Sequence, residues 1–255
     1  MSTLFDLTGR TALITGSARG LGYGFAQGLA EAGAKVVINA RNTEQVAQAV
    51  AQLRALGHDA QGLPFDVTDE AAVGAAFESL DQQGVEIDIL INNAGIQHRM
   101  PLVDLELKDW QRVIDTNLTS AFIVGKQAAK RMIARGRGGK VINIGSLTSE
   151  AARATVGPYT AAKGGIKMLT RAMAAEWTAH GIQANAIGPG YMATEMNTAL
   201  LENPTFDAWV KGRTPARRWG RADELAGTAV YLASAASDYV SGQIIYVDGG
   251  MLAVL

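Results

Sequence analysis

The chain has 255 residues and a mass of 26.8 kDa, with 23 Lys plus Arg against 24 Asp plus Glu, a formal charge of −1. That balance argues against nucleic acid as a partner, since such binding depends on neutralising many phosphates. The absence of cysteine excludes a disulfide scaffold, thiolate-bound metal and a Cys nucleophile. A chain of this length buries most of its unfolded surface without staples, and one large α/β domain over 1–255 is expected.

The segment Met1–Asp6 has no basic start followed by an apolar run. No stretch reaches the roughly 18 apolar residues of a membrane span. A soluble, cytoplasmic protein with no membrane partner is the expectation. The triplet Asn117-Leu118-Thr119 reads as chance without a secretory signal.

Apolar runs alternate with stretches of helical spacing. Thr11–Thr15 predicts a strand, and Leu21–Ala32 a helix closed by Gly33. Lys35–Ala40 predicts the second strand, followed by a helix that Thr43 caps and Gly57 stops. Gln61–Asp66 reads as a third strand, Asp69–Gln83 as a helix, and Ile87–Ile91 as a fourth strand. A long helical stretch lies within Leu107–Arg135. Val141–Ile144, Ala184–Ile187 and Gln243–Val247 supply three more strands, with a helix of about Tyr159–His180 between the first two. Leu225–Ala236 is too short and too polar to span a membrane and reads as a buried helix. The alternation implies a doubly wound parallel sheet of about seven strands with helices on both faces, and the nearly continuous apolar strands suit it. Residues 191–221, with Pro204, Pro215 and clustered charge, are expected to cover the ligand crevice.

Gly16, Ser17, Arg19, Gly20, Leu21 and Gly22 follow the first strand and open a helix. Glycines at that turn let the backbone approach a pyrophosphate, and the helix N-terminus supplies N–H groups and a dipole. About twenty residues on, where an acid would hold a ribose hydroxyl, stands Arg41. A guanidinium suits a 2′-phosphate, so NADP is expected over NAD, which stays possible. Arg19 is a second contact to that phosphate. Asp66 and Val67, after the third strand, are placed to meet the adenine.

Tyr159 and Lys163 stand four apart on one helical face, Ser146 ends a strand upstream, Asn117 lies in the long preceding helix, and Asn92-Asn93-Ala94-Gly95 ends strand four. An ammonium about 4 Å from a phenol is worth about 4 kcal/mol at an effective dielectric of about 20, enough to lower a pKa of about 10 by up to about 3. The spacing therefore predicts that Lys163 lowers the pKa of Tyr159.

With these motifs in this order, the chain resembles the short-chain dehydrogenase/reductase family from Thr15–Gly22 to Asp248-Gly249-Gly250. The resemblance implies a Rossmann-type domain and a homotetramer. It implies Ser146, Tyr159 and Lys163 as the catalytic set, Asn117 holding a water in a proton relay, and a dinucleotide contacted by Asn93, Ala94, Gly95, Pro189, Gly190, Met192 and Thr194, with Tyr159 and Lys163 beside it. Such an enzyme moves a hydride between the nicotinamide and a carbinol carbon, and the protein supplies orientation and the proton.

The loops at 96–101 and 147–153 combine cations with polar groups and lack large aromatics, which favours a polyhydroxylated carboxylate over a flat apolar ketone. Gln97, His98, Arg99, Glu150, Arg153 and Tyr191 are the candidate substrate residues. Residues 92–99, 149–153, 189–196, 213–220 and 248–252 look like the gluconate 5-dehydrogenase group of that family, which implies interconversion of D-gluconate and 5-ketogluconate. Two readings stay open: reduction of a 3-oxoacyl-carrier-protein or another ketone, and a non-catalytic NADP-binding regulator. Arg213, Arg217, Arg218 and Arg221 read as turn residues pairing acids such as Asp223 and Glu224. No metal site is expected, because His58, His98 and His180 are scattered and no acidic loop has calcium spacing.

Overall fold

The structure, a computed structural model, describes residues 3–254. Seven strands form one sheet: β1 Thr11–Ile14, β2 Lys35–Ile38, β3 Ala60–Gly62, β4 Ile89–Asn92, β5 Gly139–Ile144, β6 Ile182–Pro189 and β7 Ile244–Val247. The order is β3-β2-β1-β4-β5-β6-β7 and every pair is parallel. The helices are α1 Gly20–Glu31, α2 Thr43–Ala55, α3 Glu70–Gln82, α4 Leu107–Ile114, α5 Ser120–Arg135, α6 Gly157–Trp177, α7 Thr198–Leu201, α8 Pro204–Arg213 and α9 Ala226–Ala233. None is long and apolar enough to cross a membrane.

Because successive strand residues point to opposite faces, Ala12, Ile14, Val36, Ile38, Ile89 and Ile91 face one way. They pack against Phe25 and Leu29 of α1, Val46 and Leu53 of α2, and Leu232 of α9. Leu13, Val37, Leu90 and Val141 face the other way, onto Phe77 of α3, Val124 and Met132 of α5, and Met173 of α6. These strands are apolar at both parities because both faces are covered. The first three strands step outward from β1 on one side, and β4 returns to its other side. That reversal leaves a crevice at the carboxyl ends of β1 and β4.

Local chemistry moves several expected boundaries. β3 stops at Gly62, four residues short: the Leu63 N–H still reaches Ile38 O at 2.8 Å, but Pro64 has no N–H to continue the ladder. Asn42, not Thr43, caps α2, its side chain accepting from Gln45 N at 2.9 Å. The 107–135 stretch is broken by a π-helical turn at Asp115–Thr119, a device found at functional sites. Residues 191–221 carry α7 and α8, both helical, and the bridge Met192–Gly220. Two of the four clustered arginines pair acids as expected, Arg218 with Glu224 at 2.6 Å and Arg221 with Asp223 at 3.0 Å, while Arg213 and Arg217 donate to the carbonyls of Val254 and Gly212.

Candidate active site

The carboxyl ends of β1, β2, β4, β5 and β6 open into a cleft of about 1600 Å3. A smaller cavity of about 510 Å3 lies by Thr11 and Lys35, at the opposite ends of the strands. Its charges neutralise one another, with Asp88 held by Arg135 at 3.0 Å and by the Thr11 amide at 2.9 Å, and Glu86 bonded to Arg137. Ligands of doubly wound sheets bind at the carboxyl ends, so the large cleft is the candidate site.

The loop between β1 and α1 rests directly on the end of β4. A Cβ at Gly22 would stand 2.4 Å from Gly16 O and 2.6 Å from Asn93 Nδ2, and one at Gly16 would stand 2.9 Å from Ala94 Cα. Only glycine allows that approach, and Gly16 also has φ of +62°. Asn93 Nδ2 donates to Thr15 O at 2.9 Å and Gly16 O at 3.0 Å, while Thr15 Oγ1 accepts from the Asn93 and Ala94 amides. Arg19, the N-cap of α1, makes no side-chain cap, so the first N–H groups of the helix are left for an anion on the cleft side.

Ser17 is the exception among the expected loop contacts. It is fully buried, donates to Ile14 O at 2.6 Å and accepts from Asn39 N at 3.0 Å. Its hydroxyl braces β1 against β2 and is not on the cleft wall. Asn39 shares that task, a role the sequence reading missed: Oδ1 accepts from Gly16 N at 3.3 Å, and Nδ2 donates to Leu63 O and Phe65 O. An amide ending an apolar strand was the available signal. Arg41 projects into the cleft 3.7 Å from Asp66. Against its own burial, Asp66 is held below the usual carboxylate range by the Thr68 amide and hydroxyl and by Arg41. Arg19 pairs with Glu195 at 3.1 Å across the mouth of the cleft. Val67, Gly95, Pro189, Gly190, Met192 and Thr194 all line the same cleft.

Ser146 ends β5 and caps the short turn Leu147–Ser149, accepting from Thr148 N at 3.2 Å. Ser149 Oγ accepts from Ser146 N and donates to Lys163 O at 2.8 Å, which ties Ser146 to α6. Pro158 starts α6 beside Tyr159, and Lys163 follows one turn later. The Lys163 side chain is buried, and Nζ donates to Ile144 O at 2.7 Å, leaving two further N–H donors. Burial pulls its pKa from 10.5 to about 8. Nζ stands 5.5 Å from the Tyr159 ring centre.

The expectation that Lys163 lowers the phenol is corrected here. Burial raises Tyr159 above the ordinary phenol value, and hydrogen bonds with Ser146 and Gln97 and the charge of Arg99 oppose it without winning. Desolvation is the largest influence on the phenol, and Arg99 is the cation that acts against it. The Asn117 side chain is engaged within the protein. Its Nδ2 donates to Ile96 O and its Oδ1 accepts from Ile96 N, both at 2.7 Å. The side chain is spent on fixing the loop that carries Gln97 and Arg99.

Gln97, Arg99, Arg153 and Tyr191 line the cleft with Tyr159. His98 and Glu150 do not. His98 turns to α4, 3.8 Å from Asp109 and 3.4 Å from Arg112. Glu150 is bonded to Lys167 and to Tyr246 Oη, so its acceptors are satisfied by the protein. Arg99 and Arg153 have no acidic partner among the described residues. Burial and the Arg153 charge both lower the pKa of Arg99. Arg153 stacks on Phe206 at 5.0 Å, and Phe206, Trp209 and Trp219 back Tyr191 edge to face, with ring centres 5.5 to 5.7 Å away. The loops lack large aromatics, as read, but α8 and the 214–221 segment bring them in behind the wall.

A glycine cradle at a helix N-terminus, beside a Tyr–Ser pair backed by a buried lysine, defines a dinucleotide-dependent oxidoreductase. A family model described as enoyl-(acyl carrier protein) reductase matches residues 16–252. A solved structure from Agrobacterium tumefaciens, provisionally described as a gluconate dehydrogenase, is 67% identical over the whole of both chains with a TM-score of 0.98. A gluconate 5-dehydrogenase from Burkholderia cenocepacia J2315, solved with NADP and tartrate, is 50% identical, with 99% of each chain covered and a TM-score of 0.97. The gluconate 5-dehydrogenase of Gluconobacter oxydans is 48% identical over 97% of this chain and 96% of its own. The chain belongs to the short-chain dehydrogenase/reductase family and is an enzyme acting on CH–OH groups.

Proposed function

We propose that this enzyme interconverts D-gluconate and 5-ketogluconate with NADP. The observation that carries the reading is the pair of unpartnered guanidiniums, Arg99 and Arg153, on the cleft wall beside Tyr159. Two cations that repel each other on one cleft wall are stabilised by an anion between them, and a carboxylate matches guanidinium geometry. The names of the relatives and the tartrate, a hydroxy acid, in one of their structures support a sugar acid. A simple ketone would leave both arginines unpaired.

The cradle fits a dinucleotide: the Gly16–Gly22 loop and the α1 N-terminus take the pyrophosphate, and Arg41 takes the 2′-phosphate. When bound, the nicotinamide supplies the hydride acceptor or donor. Tyr159 exchanges a proton with the C5 oxygen, Ser146 donates a hydrogen bond to that oxygen, and the free Lys163 donors hold ribose hydroxyls. Because burial keeps Tyr159 a phenol, the resting enzyme holds the acid form that ketone reduction needs. Oxidation needs the phenolate, which Ser146, Gln97 and Arg99 favour.

We also infer a homotetramer, supported by the exposed apolar residues Leu107, Phe122 and Met168 on α4, α5 and α6, to be checked by light scattering. The test of the function is absorbance at 340 nm with NADP and D-gluconate, and with NADPH and 5-ketogluconate, against a 3-oxoacyl thioester. Turnover of the thioester without turnover of the sugar acid would remove the reading.

A further inference from the structure

Six buried side-chain polar atoms among the described residues lack a hydrogen-bond partner. Only two belong to residues on the cleft wall: Gln97 Oε1 and Thr148 Oγ1. A buried polar atom left unmade is costly, and where it faces a ligand site the natural partner is the ligand.

The turn after Ser146 shows how selective this is. Ser149 Oγ is taken by Ser146 N and Lys163 O, and Glu150 by Lys167 and Tyr246. Thr148 alone keeps a free hydroxyl. Its amide already donates to the catalytic serine oxygen at 3.2 Å, so Thr148 sits next to the reacting centre. As a β-branched residue it has few rotamers, and its hydroxyl both donates and accepts. On the other side, Gln97 bonds toward the Tyr159 phenol and keeps its carbonyl oxygen spare. The two residues with spare atoms therefore adjoin Ser146 and Tyr159 respectively, one atom of either kind and the other an acceptor only.

We propose that Thr148 Oγ1 and Gln97 Oε1 bind the substrate hydroxyls on either side of the reacting carbinol, and so make this site selective for polyhydroxylated acids. The inference rests on the sugar-acid reading and deepens it. For oxidation at C5 the flanking hydroxyls are those of C4 and C6. Arg99 and Arg153 then hold the carboxylate, and the Thr148–Gln97 pair measures the other end of the chain.

The experiment compares native enzyme, Thr148→Val and Thr148→Ser on D-gluconate, 4-deoxy-D-gluconate and 6-deoxy-D-gluconate, with NADPH affinity followed by fluorescence. Valine has the shape of threonine without the hydroxyl. Thr148→Val is expected to lower kcat/KM on D-gluconate about 10- to 100-fold, with Thr148→Ser within about threefold of native. On one of the deoxy analogues the valine penalty is expected to vanish. The inference is overturned if Thr148→Val stays within threefold of native on D-gluconate. It is equally overturned by the same loss on all three substrates, or by a loss that tracks NADPH affinity. A native enzyme inactive on D-gluconate would instead bring down the functional reading, and this inference with it.

Discussion

Lys163 offers a direct measure of what the active site costs the fold. It is 4% exposed, donates to Ile144 O, and has its pKa pulled by burial from 10.5 to about 8. At about 1.36 kcal/mol per pH unit, keeping it charged costs the native state about 3 kcal/mol wherever both states are protonated, that is below pH 8. Between pH 8 and 10.5 the unfolded chain binds more protons, so stability rises with pH. Above 10.5 both states are neutral and the cost is gone. Lys163→Met keeps an unbranched chain of similar size, removes the charge and strands Ile144 O, a loss of about 1 kcal/mol. The expected net gain at pH 7 is about 2 kcal/mol, or a Tm higher by about 4–8 °C for a chain of this size. Thermal unfolding of both proteins without cofactor, from pH 7 to 11, checks it. The gain should shrink through the window and reverse above pH 10.5, where only the lost hydrogen bond remains, while turnover is lost throughout. A variant less stable than native at pH 7, or a difference that does not change with pH, refutes the burial argument.

Three further outcomes follow from the same geometry. Gly22→Ala places a Cβ 2.4 Å from Gly16 O, so NADPH binding should be lost in a fluorescence titration even if the variant folds. Arg41→Ala should raise KM for NADP about 10- to 100-fold, the worth of a charged hydrogen bond, and leave KM for NAD within about twofold. A raised phenol pKa makes gluconate oxidation climb about tenfold in kcat/KM per pH unit below that pKa, while reduction stays flat and falls only above it. Tyr159→Phe should lower both directions by at least about 100-fold with NADPH affinity retained, and a variant keeping a tenth of native turnover would exclude Tyr159 as the proton carrier.

Much of this molecule is legible from residue order. The alternation of apolar runs and helical spacing gives the parallel sheet, because a strand covered on both faces must be apolar at both parities. Glycines 16, 20 and 22, Arg41, and the Ser146, Tyr159 and Lys163 set are short-range signals, fixed by the positions of strand ends and by one helical turn. The pairing of Arg218 and Arg221 with nearby acids is local for the same reason.

What the tertiary structure alone decided is which polar atoms remain free once the chain has folded. Ser17, Asn117, His98 and Glu150 have the right chemistry in the right segments, yet each is spent on another part of the protein: Ile14 and Asn39, Ile96, α4, and Lys167 with Tyr246. Thr148 gives no local signal, and its hydroxyl stands out only because its neighbours' groups are taken. The sign of the Tyr159 shift belongs here too. Spacing puts Lys163 within reach of the phenol, but whether charge or desolvation prevails depends on how deeply the folded chain buries the ring. Hydrogen-bond satisfaction and dielectric are properties of the whole packed chain, and no window of sequence carries them.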